Sequence, residues 1–405
     1  MESRTKRTQI LKTGNPNYLS ADKPELSVVI PCLNEEDTLG TCLSKLVSVA
    51  KESNFSIEVI VADNGSQDSS INIAKEYNAR VTQVSTKGYG AALIEGIESA
   101  KGPLVLMADA DDSYDFLETS KFFRKLKEGF DLVQGCRLPS GGGKIEKGAM
   151  PWSHRYIGNP FFTYLVRSWF NSPVHDVYCG MRAFKKSFYE SLNMKCTGME
   201  FATEMIIKSA SANASVAEVP ITLHRDGRIQ HPPHLRTIRD GWKTLCFFIL
   251  LAPSKLFLIP GALMTFLGII GNYLGYSEAS LKGISLGAHT MLGSSLLIII
   301  GYQSMLMHHL CMQISEKIGI KSRIKPNWLN NLFSRNTTIL SLLMFVGGIF
   351  LWIKIFLLWH SGNFGSLDYQ HTLKIVIPGA TLITLSLETL IFKFFFSWLK
   401  IEISN

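Results

Sequence analysis

The sequence predicts an α/β body built on a mostly parallel, Rossmann-like sheet, followed by an all-α body of four transmembrane helices. Three observations predict this. From residue 26 to about residue 108, short apolar runs alternate with longer amphipathic ones, the pattern of strands joined by right-handed helical crossovers. Polar clusters end those apolar runs, and the carboxyl edge of such a sheet is where ligands bind. The long apolar runs fall almost entirely after about residue 245, so the overall 46% hydrophobic and 18% charged composition averages two unlike bodies. At 405 residues the chain is long enough for both.

Residues 1–24 are polar and basic, lack the apolar core of a signal peptide, and are expected to form a flexible leader. Residues 25–230 make the α/β body: LSVVIP, a helix to about Glu52, IEVIVA, a helix to about Tyr77, RVTQVS, a helix to about Ala100, then LVLMA. Residues 231–255 combine basic side chains with Trp242 and bulky apolar residues, as an interfacial helix does. Residues 256–405 hold spans near 256–276, 286–307, 338–359 and 373–396. Each has about 20 residues or more, enough at ~1.5 Å per residue to cross ~30 Å of hydrocarbon. Lys317, Lys321, Arg323, Lys325 and Arg335 lie between the second and third spans, against Lys282 alone in the preceding loop and neither lysine nor arginine from His360 to Thr372. The positive-inside rule then places the α/β body and both termini in the cytoplasm.

Seven cysteines without a C-x-x-C pair or a Cys/His cluster at zinc spacing argue against a disulfide-stapled domain and a structural zinc. The net charge of +8 suits an anionic partner, lipid headgroup or nucleotide phosphate, and equally the basic loops of a membrane protein. No nucleic-acid partner is expected, and a homo-oligomer stays open.

The strand ends carry the candidate chemistry. PCLNEED follows the first strand, DNGSQDSS the second, TKGYGAA the third and DADDSYDF the fourth, which gathers Pro31, Asn34, Glu35, Asp63, Lys87, Asp109, Ala110 and Asp111 around one crevice. Asp63 suits a base or ribose, or else an ordinary turn cap. Lys87 with Gly88 and Gly90 suits a phosphate, or else a tight turn. Asp109 and Asp111 can share a hard divalent cation completed by diphosphate oxygens and water. Asp112 is a supporting residue, and Asp115 most simply caps the next helix. Glu200 and Glu204 share a helix face, to orient an arginine, meet sugar hydroxyls or form an ion pair. GGGK at 141–144 lacks the spacing and the Ser or Thr of a phosphate loop and is expected to be a mobile loop.

SVVIPCLNEEDTL, VIVADNGSQDSS, KGYGAAL and LMADADDSYDF, in that order, resemble the signatures of family 2 glycosyltransferases with the GT-A fold. GCRLPSGGGKIEKGAMPWSHRYIGN, HDVYCGMRAF, GMEFATEM, EVPITLHRDGR and PHLRTIRDGWKTL extend the resemblance to polyprenyl-phosphate hexosyltransferases, most closely to bacterial dolichol-phosphate-glucose-synthase-like proteins, over about residues 25–255. Asn64 departs from it, since many relatives carry an acidic residue there. The resemblance implies inverting transfer of a hexose from a nucleotide sugar, UDP-glucose before GDP-mannose, to a polyprenyl or dolichyl monophosphate at a bacterial plasma membrane, with Mg²⁺ or Mn²⁺. It implies catalytic roles for Asp111, Arg137 and Arg155, an acceptor-phosphate site of Arg137, Arg155 and Asn159, donor-diphosphate contacts from Arg225 and Arg228, and support from Asp112, Asp176, Arg182, Glu200 and Glu204, with Asp176 and Arg182 as an ion pair. A processive polysaccharide synthase is disfavoured because no Q/R-x-x-R-W tetrad is present. A lipid-linked-sugar flippase module among the spans is the other alternative.

Overall fold

β1 (Leu26–Cys32) is buried along its whole length, as its unbroken apolar run requires of a strand covered on both faces. It pairs in parallel with β2 (Ile57–Asp63) on one side and with β4 (Leu104–Met107) on the other. β3 (Arg80–Gln83) extends the sheet beyond β2. Beyond β4 come β7 (Arg182–Lys185), β5 (Leu132–Cys136) and β8 (Val216–Pro220), giving the order β3-β2-β1-β4-β7-β5-β8. Only β7 runs antiparallel to its neighbours, so the sheet is mostly parallel as expected. A small second sheet pairs β6 (Lys144–Ile145) with β9 (Thr222–Leu223). The chain is seen in a computed structural model that describes residues 19–228, 237–281, 283–317 and 335–401. The leader to residue 18, His231 and His234, and most of the basic loop after the second span lie outside the described residues.

Alternation along the strands decides which face each helix covers. Val28, Ile30, Val59 and Val61 share a core with Leu39, Leu43 and Leu46, which recur at helical spacing on α1 (Leu39–Glu52). Val29 points the other way, against Gly96 of α3 (Tyr89–Ser99), where a larger side chain would meet Val29 and Ala62. α2 (Ser70–Glu76) and α4 (Thr119–Lys127) follow β2 and β4. α5 (Asn159–Phe170), α6 (Lys186–Leu192) and α7 (Phe201–Ser211) complete the body. Glu58 is a buried charge on β2: it accepts from Ser27 Oγ at 2.6 Å, Lys101 N at 2.6 Å and Arg80 at 2.8 Å. Burial alone would raise its carboxyl, but these donors outweigh burial and hold it below the ordinary range.

The chain divides into two units, residues 1–247 and 248–405, with α8 (Thr237–Leu251) running across the division. The second unit holds α9 (Ile259–Tyr276), α10 (Ala288–Lys317), α11 (Arg335–Ser361) and α12 (Tyr369–Ile401). All four are long and apolar enough to span a bilayer, at the places expected from the sequence. α10 continues to Lys317 rather than ending near 307, because Cys311, Met312 and Ser315 keep one face buried there. α9 packs on α10 through Gly261, Gly268 and Gly275, one residue in seven, which bring the backbones close without side chains between them. Ser341 and Ser386 hydrogen-bond across α11 and α12 at 3.1 Å.

Candidate active site

The parallel register sets the site, because Cys32 at the end of β1 faces Asp63 at the end of β2. Two hydrogen-bonded braces join the loops beyond. Asn34, at φ 57°, donates its amide to Ser66 Oγ at 3.0 Å and accepts from Gln67 N at 2.8 Å, so it ties the first two loops together. Asn64 donates to Thr86 O and accepts from Gly88 N, both at 2.8 Å, while its own carbonyl receives Lys87 Nζ at 2.8 Å. An aspartate at 64 could accept but not donate, which gives the departure from the family pattern a structural reason. Asp63 accepts from the amides of Gly65 and Ser66 at 3.1 Å and so closes its own turn. Pro31 lies in β1, and Ala110 is buried with its carbonyl accepting from Cys42 Sγ.

The acidic loop holds its two carboxylates differently. Asp109 is half-buried and accepts from Tyr89 Oη at 2.8 Å; desolvation, and then the charge of Asp111, push its carboxyl up to about 6. Asp111 accepts from Ser113 N at 3.0 Å and Ser113 Oγ at 2.6 Å through one oxygen, while the other lies 3.7 Å from Arg228. Arg228 pairs with buried Glu35 at 2.7 Å. Among the described residues no group of three His, Cys, Asp or Glu side chains gathers as a ready metal cage. The Asp109 and Asp111 pair nonetheless fits a hard divalent cation, since two mutually repelling carboxylates are drawn to a shared positive charge, and substrate oxygens and water commonly complete such a shell. Asp112, at φ 60°, pairs with Lys45 at 2.8 Å, and Asp115 caps the turn Phe116–Glu118 by accepting from Leu117 N.

Arg137 at the end of β5 is bound by Asp176, with Nε at 2.8 Å, Nη2 at 2.9 Å and the backbone amide at 2.9 Å, and its Nη1 donates to Tyr114 Oη at 3.3 Å. The expected Asp176–Arg182 pair does not form. Arg182 is fully buried in β7 and donates instead to the carbonyls of Val177, Cys179 and Ala202 at 2.6–3.0 Å, since Asp176 is turned to Arg137. Arg155 lies over the ring of Tyr156 at 5.3 Å, and Asn159 donates to Met150 Sδ at 3.4 Å. Burial, and then the charge of Arg137, keep the half-buried His154 below its ordinary range.

Two expectations resolve between their alternatives and a third needs correction. Gly88 and Gly90 do not frame an open phosphate cradle: Ala91 N donates to Thr197 O at 3.0 Å, and a methyl on Gly90 would strike the carbonyls of Cys196 and Gly198. Glu204 takes the ion-pair alternative. It is fully buried and accepts from Lys195 N and Cys196 N at 2.8–3.1 Å and from Lys208 at 2.7 Å, so it fastens the segment that presses on those glycines. Glu200 packs against Gly198 in the same segment. The GGGK stretch is tied down at its end, because Lys144 and Ile145 pair with Thr222 and Leu223, and Arg225 reaches Lys147 O rather than the acidic loop. Sequence reasoning passed over Tyr89, Ser113 and Tyr114; Ser113 and Tyr114 sit inside the acidic motif, and only the fold shows what they hold.

Carboxylates short of a cation, with arginines close by, suit chemistry on phosphates, and the class that this fold and site define is the glycosyltransferases of GT-A type. The chain belongs to glycosyltransferase family 2: residues 27–192 match "Glycosyl transferase family 2", and residues 307–400 match "Glycosyltransferase family 2 C-terminal transmembrane region". It is similar to the low-salt glycan biosynthesis hexosyltransferase Agl6 of Haloferax volcanii, 34% identical over 84% of this chain and 82% of that one. A dolichyl-phosphate hexose transferase of the same organism is 31% identical over 49% of this chain and 82% of its own length. A solved structure of glucosyl-3-phosphoglycerate synthase from Mycobacterium tuberculosis, in complex with Mn²⁺, UDP and glucosyl-3-phosphoglycerate, is 19% identical with a TM-score of 0.43 over 56% of this chain and 79% of that one, a likeness too slight to argue from. The chain is a glycosyltransferase integral to the membrane.

Proposed function

We propose that this enzyme moves a hexose from a nucleotide sugar, UDP-glucose in preference to GDP-mannose, to a polyprenyl or dolichyl monophosphate, with inversion, giving a lipid-phosphate sugar for cell-envelope glycosylation. The observation that carries the reading is Tyr114: it belongs to the acidic loop, and its hydroxyl receives Arg137, so a donor-side carboxylate pair and an acceptor-side cation share one support. Asp109 and Asp111 would hold Mg²⁺ or Mn²⁺, which when bound supplies positive charge to the donor diphosphate. Arg228, held at Glu35, adds a second charge beside it. Pro31, Asp63 and Lys87 line the nucleotide side.

Arg137, Arg155 and Asn159 hold the acceptor phosphate. A phosphate monoester has a second pKa near ~6, so its oxygen is a nucleophile near neutral pH without a general base. The phosphate O–C1 bond forms as the C1–O bond to the diphosphate breaks, and the electron pair leaves with the nucleoside diphosphate. Bringing two anions together is the difficult part, and fixed guanidinium groups lower that cost most when they are already in place. Asp176 keeps Arg137 in place, and though burial opposes the charge, Asp176 outweighs it.

Trp152, Tyr156, Ile157, Phe161 and Tyr164, all exposed, flank Arg155 along the chain, from just before the π-helical turn that holds it into α5. Tryptophan and tyrosine favour the headgroup level of a bilayer, where a lipid phosphate lies, and exposed Trp242 on α8 supports a second interfacial contact. We place the catalytic body and both termini on the cytoplasmic side of the plasma membrane, on the charge asymmetry of the loops. The test is purified full-length protein given polyprenyl phosphate, Mn²⁺ and labelled UDP-glucose or GDP-mannose. Lipid-phosphate hexose should form with one donor and fall by ~1000-fold or more in Asp111→Ala; no lipid product from any nucleotide sugar would overturn the reading.

A further inference from the structure

The segment from Thr222 to Arg228 is hydrogen-bonded along both edges. On one edge, Lys144 N donates to Ile221 O and Glu146 N to Leu223 O, each at 3.0 Å, within the β6–β9 pairing. On the other, His224 N donates to Ser113 O and Gly227 N to Asp111 O, each at 2.9 Å, and Leu223 bridges Tyr114. The acidic loop, this strap and residues 144–147 therefore form a ladder in series. The two arginines of the strap serve different sides. Arg228 binds Glu35 and approaches Asp111, whereas Arg225 donates from Nε to Lys147 O at 2.7 Å and lies against Gly148. With Arg228 held at Glu35 and Arg225 at Lys147 O, one diphosphate is poorly placed to meet both.

We propose that Arg225 is a positioning residue of the acceptor side: it pins residues 144–150, the stretch leading to Arg155, to the strap that carries Arg228, so that donor engagement and presentation of the acceptor stretch are coupled. His224 reinforces the contact through Glu146 at 3.1 Å. The proposal rests on the function given above and moves Arg225 out of the donor site. Arg225 is exposed, so the loss of its hydrogen bond is worth a modest factor, roughly three- to tenfold.

The experiment compares full-length wild type, Arg225→Gln and Arg225→Lys. Three quantities are read: KM for polyprenyl phosphate, Kd for UDP with Mn²⁺, and the rate of tryptic cleavage after Lys147. Arg225→Gln should raise the acceptor KM roughly three- to tenfold, leave the UDP affinity within about twofold and speed cleavage after Lys147, and Arg225→Lys, whose ammonium can reach the same carbonyl, should recover most of each. Weakened UDP binding with an unchanged acceptor KM would overturn the proposal and return Arg225 to the donor diphosphate. Unchanged cleavage after Lys147 would overturn it too. If the wild type transfers nothing to lipid, the functional reading fails instead, and cleavage and UDP binding still decide whether Arg225 pins the stretch.

Discussion

At neutral pH, Asp109 is a charge in a place that favours the neutral acid, since burial and then Asp111 push its carboxyl up to about 6. The folded chain thus binds this proton more tightly than the unfolded chain, where an aspartate titrates near ~3.9. The resulting penalty is absent below about pH 4, grows between about 4 and 6, and is complete above, where it amounts to about 3 kcal/mol. Asp109→Asn removes the charge and keeps an oxygen for Tyr89. It should raise the melting temperature of the metal-free protein at pH ~7.5, lose that advantage by pH ~4, and cut sugar transfer by ~100-fold or more. Thermal melts across pH check this, and a variant no more stable than wild type at pH ~7.5 would contradict the strained charge. A carboxylate kept against stability is the mark of a residue held for function. The pair was legible in the sequence because D-x-D closes an apolar run. Tyr89 was not, because a tyrosine between two glycines reads as the start of a helix, and its hydroxyl meets Asp109 only once the third crossover folds back on the fourth strand.

Elements follow the same division between local and distant causes. The alternation of runs up to residue 108 located β1 to β4 and the helices between them, since β1, β2 and β4 are each largely an apolar run of the right length and β3 is the partly exposed edge. Hydrophobic period says nothing about where a polar segment from elsewhere lands. Residues 195–198 reach the turn at Gly88–Gly90 from over a hundred positions away, fastened by Glu204, and so a glycine pair that suits a phosphate proves to suit a backbone neighbour. The amide-to-carbonyl contact from Ala91 to Thr197 and the steric limit at Gly90 make a prediction. Gly90→Ala should destabilise the fold by about 1–3 kcal/mol through forced separation of the two segments, and should weaken UDP binding as Lys87 and Tyr89 shift with the turn. Denaturant unfolding and nucleotide titration measure the two effects; an alanine accommodated with neither change would show that the segment yields freely.

For the whole molecule, the apolar spans were legible because bilayer thickness imposes a length, whereas the aromatic face at 152–164 was hidden in a stretch whose composition is mixed and whose exposure only folding reveals. Trp152→Ser with Phe161→Ser should therefore lower transfer to long-chain polyprenyl phosphate in vesicles severalfold, yet spare a short, water-soluble phosphate acceptor, because the loss is of membrane seating rather than of phosphate contacts. Equal losses with both acceptors would place those rings in the site itself. The spans make a stricter demand. If the four candidate spans among the described residues all cross, an even number, the catalytic body before α9 and the chain after α12 share one side and the turn at 362–368 lies on the other. The proposed function, which draws on cytosolic sugar nucleotides, puts the first side in the cytoplasm. An epitope inserted after Gly365 should accordingly be reached by antibody from outside sealed, right-side-out vesicles, while an epitope at the C-terminus is reached only after permeabilisation. The reverse pattern would separate the enzyme from its proposed donor, and equal access to both epitopes would mean an even number of crossings between them.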